Sequence, residues 1–64
     1  MTAKKTLQER EAELRDLLAT PAGRAELEVL ADRYAEAAGH VRAARTSVVT
    51  FIIVHERQRG LIRP

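Results

Sequence analysis

Apolar residues in the first half of the chain recur at helical spacing. Leu7, Leu14 and Leu18 share one face at i, i+7 and i+11, with Leu17 beside them. Thr6 precedes this stripe and Glu9 stands three residues on. This is the Thr-x-x-Glu capping box, in which each side chain satisfies the other residue's backbone N–H. Glu11 and Arg15 form a well-oriented i,i+4 pair on the polar side. The pattern predicts a first helix over residues 6–19. Its apolar stripe is narrow, so it needs a packing partner.

Thr20-Pro21 ends that helix and starts another. Proline disfavours helix at the residue before it, yet suits the first helical position, where its missing N–H would have had no partner. Thr20 is the natural N-cap. Leu27, Leu30, Ala31, Tyr34 and Ala38 then follow a 3.6-residue period, with Val41 at the margin. Gly39 suits a left-handed stop. A second helix is predicted over 21–38, joined to the first by a very short turn.

Residues 48–54 (Val-Val-Thr-Phe-Ile-Ile-Val) read as a strand by propensity. Their flanks read as helix. Thr46 and Ser47 are good N-caps, Gly60 stands where a C′ glycine belongs, and Leu61 follows at C″, where an apolar side chain packs back on the last turn. His55, Arg57 and Arg59 lie where positive charge suits the helix dipole. A single strand would also have no partner within the chain. The expected fold is all-α: three short helices over 6–19, 21–38 and 47–59, homodimeric. The alternative is two helices plus one C-terminal strand paired across a dimer.

Composition explains why association is expected. The chain has 64 residues and no cysteine, and Leu, Ile, Val and Phe together number 16. One core of this size supplies no more than ~3–5 kcal/mol, and small folds usually add a staple. Disulfides and a cysteine-based zinc site are excluded, which leaves oligomerisation. The proposed interface is the apolar segment and tail: Val48, Val49, Phe51, Ile52, Ile53, Leu61 and Ile62. Leu14, Leu18, Leu27, Leu30 and Tyr34 are assigned to the intrachain core. The whole chain reads as one small domain, with residues 1–5 a frayed start.

Charge is uneven. Residues 1–40 carry six basic and eight acidic groups, whereas 41–64 carry Arg42, Arg45, Arg57, Arg59 and Arg63 against Glu56 alone. A basic end points weakly to nucleic acid or an acidic partner, and these five arginines are the candidate phosphate contacts. Base reading is poorly provided for. There is no Asn, Gln8 and Gln58 are the only Gln, and the second helix is acidic on its polar side at Glu26, Glu28, Asp32 and Glu36.

Catalytic chemistry finds little footing. His55-Glu56 resembles the start of His-Glu-x-x-His, but position 59 is Arg, and the chemistry needs two imidazoles one turn apart. Ser47 is the only serine, lacks a Gly-x-Ser-x-Gly elbow and is read as a helix cap. The glycines at 23, 39 and 60 are isolated and form no phosphate loop. No catalytic, metal or cofactor residues are assigned. No apolar run approaches the ~20 residues of a membrane span, and Lys4 and Lys5 lead into a charged segment, unlike a secretory signal. The expectation is a cytoplasmic, non-enzymatic, self-associating interaction or structural protein. The alternative is a dimeric nucleic-acid binder.

Overall fold

The computed structural model describes residues 4–39 and 46–63. Three helices account for most of them: α1 (Leu7–Leu18), α2 (Pro21–Ala37) and α3 (Val48–Gln58). Each lies within one residue of its expected limits. Among the described residues there is no strand, so the β reading of residues 48–54 is set aside.

The local signals act as expected at most helix ends. Thr6 Oγ1 accepts from the Glu9 N–H at 3.1 Å, and the Thr6 N–H donates to the Glu9 carboxylate at 3.3 Å. Thr20 Oγ1 accepts from Gly23 N–H at 3.0 Å, with Pro21 opening α2. Gly39 and Gly60 adopt φ of 76° and 71°, the left-handed conformation that stops α2 and α3. At the end of α3, Leu61 N–H donates to Glu56 O (2.8 Å) and Gly60 N–H to Arg57 O (3.2 Å), the paired bonds of a Schellman stop.

Three local expectations are corrected. Ser47 is the N-cap residue of α3, but its side chain makes no capping hydrogen bond. Leu61 at C″ is 52% exposed, and it is the next residue, Ile62, that is buried. Gly23 is more than punctuation. The first turn of α2 lies so close to the end of α1 that a Cβ there would overlap the Leu17 carbonyl.

The core draws on all three helices. Leu14 from α1, Leu27 and Ala31 from α2, and Val49 and Ile52 from α3 are buried together. Leu17, Leu18, Leu30, Tyr34, Val48, Phe51 and Ile53 pack around them. This centre, together with Ile62, answers the propensity question. A seven-residue apolar run buries its inward side between two helices while its backbone satisfies itself, which a single strand does not achieve.

The tail closes the bundle. Arg63 N–H donates to Lys5 O (2.8 Å) and Leu7 N–H to Arg63 O (3.1 Å), a one-residue parallel bridge between Thr6 and Arg63. Lys4 also donates to the Gly60 carbonyl. Lys4 and Lys5 are therefore tied down where fraying was expected; residues 1–3 lie outside the described residues. No helix is long and apolar enough to cross a membrane, among the described residues.

Candidate interaction site

A buried carboxylate interrupts the apolar core at one end of the bundle. Glu56 on α3 is 5% exposed. Arg10 on α1 grips it with two parallel bonds, Nε to Oε1 at 2.7 Å and Nη2 to Oε2 at 2.9 Å. Tyr34 on α2 donates its hydroxyl to Oε2 at 2.8 Å. Glu13 pairs with both Arg10 and Lys5, extending the network to the surface. The His55 ring stacks on Tyr34, with centroids 4.0 Å apart and planes 14° from parallel.

Each residue of this lock stands on the inward stripe of its helix. Arg10 falls between Leu7 and Leu14, Tyr34 follows Leu27 and Ala31, and Glu56 comes one turn after Ile52. A charge at a core position is the sequence signal that could have revealed Arg10 and Glu56. In the sequence, Glu56 stands out only as part of an incomplete His-Glu-x-x-His pattern and as the one acid of the basic end, and neither residue is assigned to the core.

The electrostatics follow from the geometry. The hydrogen bonds that Arg10 donates to Glu56, with the carboxylate's nearby charge, hold the guanidinium protonated more firmly than usual, against the cost of partial burial. Burial first, and then the bond to Glu56, push the Tyr34 phenol up to about 12. Lys5 and Arg10 hold the Glu13 carboxyl below its ordinary range. Both Glu56 oxygens are engaged by donors, so neither is open to a substrate. The arrangement locks three helices at fixed rotation and register, a role buried ion pairs can fill even when they add little net stability.

The residues assigned to a dimer interface are mostly consumed within the protomer. Val49, Ile52 and Ile62 are buried, and Val48, Phe51 and Ile53 are half-buried against the core. Of the seven, only Leu61 is exposed. That interface assumed that two alanine-rich helices cannot cover an apolar α3. Ala31 of α2 is itself fully buried in the core, together with Val49 and Ile52 of α3.

Apolar surface remains elsewhere. Ala25, Glu26, Val29, Leu30 and Arg33 line a shallow hollow of about 320 Å³ along the outer face of α2, with Val29 53% exposed. A second hollow of about 220 Å³ is lined by Ala38, Phe51, Val54, His55 and Gln58. Of the candidate phosphate contacts, Arg57, Arg59 and Arg63 are exposed, while Arg42 and Arg45 lie outside the described residues. The Thr6–Arg63 bridge brings Lys4 and Lys5 to the same end as Arg59 and Arg63, a grouping that sequence order conceals.

Comparison with protein-family models, with curated proteins and with solved structures returns no match.

Proposed function

We propose that this chain is a non-enzymatic helical interaction protein that associates with itself. The observation that carries the reading is the outer face of α2. That helix commits Leu27, Ala31 and Ala35 to the core, yet leaves Ala25, Val29 and part of Leu30 bare along a continuous hollow. The thin core supports the same reading, because a chain this short gains stability from a partner. The Arg10–Glu56–Tyr34 lock supports a structural role, since its polar groups satisfy one another.

Light scattering over a dilution series tests the proposal. A mass that is a stable multiple of 7.2 kDa is expected. A monomer throughout would overturn it.

A second reading, nucleic-acid binding, is favoured by the grouping of Lys4, Lys5, Arg59 and Arg63 at the tail bridge. It requires duplex binding that weakens steeply with salt and is lost when these residues are neutralised. Absence of binding at low salt would dismiss it.

A further inference from the structure

We infer that two copies of the chain pair antiparallel along the outer face of α2, with Val29 and Leu30 at the two-fold axis and Glu26 opposite the partner subunit's Arg33. The inference rests on the self-association proposed above and names the surface that performs it.

The seam is defined by spacing. Ala22, Glu26, Val29, Arg33 and Ala37 are all exposed and recur at intervals of three or four residues, so they form one stripe on the side away from the core. The stripe is apolar at its centre, charged on either side and small at both ends. α2 is 17 residues long and gives a contact line of roughly 25 Å. Alanine at each end lets two such helices approach closely.

Charge selects the partner and the direction. Glu26 and Arg33 are seven residues apart, too far to pair within one helix. Among the described residues, neither takes part in an ion pair. Rotation about an axis between Val29 and Leu30 sets Glu26 against the partner subunit's Arg33, and by symmetry forms the same pair again. A parallel arrangement would set each charge against its own kind. A second copy of this chain therefore supplies both an apolar centre for the hollow and an opposite charge at each side. The hollow is lined by Glu26, Val29 and Arg33 of this stripe, with Ala25 and Leu30 beside them.

The experiment uses two charge reversals, E26R and R33E, with sedimentation equilibrium and native mass spectrometry. Both positions are exposed, so circular dichroism is expected to match that of the wild type. Each variant alone faces two like-charge pairs per dimer and is expected to weaken association at least tenfold. An equimolar mixture recreates both opposite-charge pairs, so a heterodimer is expected with near wild-type affinity. Val29→Lys, with no complement, is expected to dissociate the dimer in every mixture. A wild-type chain that stays monomeric up to millimolar concentration would overturn self-association and this surface together. A wild-type dimer that ignores the reversals, or a mixture that fails to recover, would overturn this surface and leave self-association standing.

Discussion

Removing Arg10 tests the lock that ties the three helices together. In Arg10→Ala, the Glu56 carboxylate keeps the Tyr34 hydroxyl on Oε2 and loses its guanidinium partner on both oxygens. Breaking a buried pair from one side costs ~3–5 kcal/mol, because the remaining charge stays desolvated. The Glu56 side chain is 6% exposed and that of Arg10 is 19% exposed. Water can therefore enter part of the vacated space, which sets the expected cost near the lower end, about 3 kcal/mol. Lost packing of the arginine stem adds to it. A core of this size supplies only ~3–5 kcal/mol, so the variant is expected to be largely unfolded at room temperature. The control replaces both charges, Arg10→Met with Glu56→Leu. Glu13 keeps Lys5 at the surface, and the Tyr34 hydroxyl is left without its acceptor, a cost of ~1 kcal/mol that better apolar packing offsets. Urea unfolding followed by far-ultraviolet circular dichroism, at one fixed chain concentration, measures both variants. An Arg10→Ala chain within ~1 kcal/mol of wild type would mean that Glu56 is hydrated and the desolvation argument fails. A double variant as unstable as the single one would assign the cost to packing instead of charge.

Two further predictions follow from the same geometry. Tyr34 is the only tyrosine and there is no tryptophan, so phenolate absorption reports this residue alone; its midpoint is expected at about 12, above the ordinary 10. The fold retains a proton that the unfolded chain releases near 10, so stability falls as pH rises from there towards 12, and a midpoint of ~10 in a chain with intact helices would refute the contact. Gly23→Ala, which at an ordinary helix position stabilises by about 1 kcal/mol, is expected here to cost ~1–3 kcal/mol in thermal or urea unfolding, because the new Cβ meets the Leu17 backbone; a gain would show that the two helices can separate freely.

The surface of α2 shows how a helix can serve two faces without a strongly amphipathic sequence. Leu27, Ala31 and Ala35 look inward, while Val29 lies two residues from both Leu27 and Ala31 and points away. Alternation of this kind blurs the apolar stripe in the sequence. The most conspicuous apolar run, residues 48–54, drew attention to α3, although the core covers most of it. The outer face of α2 is hard to read from sequence because Ala22, Ala25 and Val29 are individually ordinary exposed residues.

The sequence by itself determined where α1 and α2 begin and end, and where α3 stops. Thr6 with Glu9, Thr20 with Pro21 and the glycines at 39 and 60 act on backbone groups a few residues away, so their effect is local and survives without knowledge of the fold. Leu14 and Leu27 were legible as core for a similar reason, since helical period alone sets their face. Tertiary structure decided the rest. It settled residues 48–54 as helix, because burial between α1 and α2 outweighs β-branched propensity. It brought Arg10, Tyr34 and Glu56 together across separations of 46 and 22 residues. It also turned Ile62 inward, left Leu61 outside, and joined Lys5 to Arg63. Such contacts depend on the rotation and register of one helix against another, which no single segment encodes.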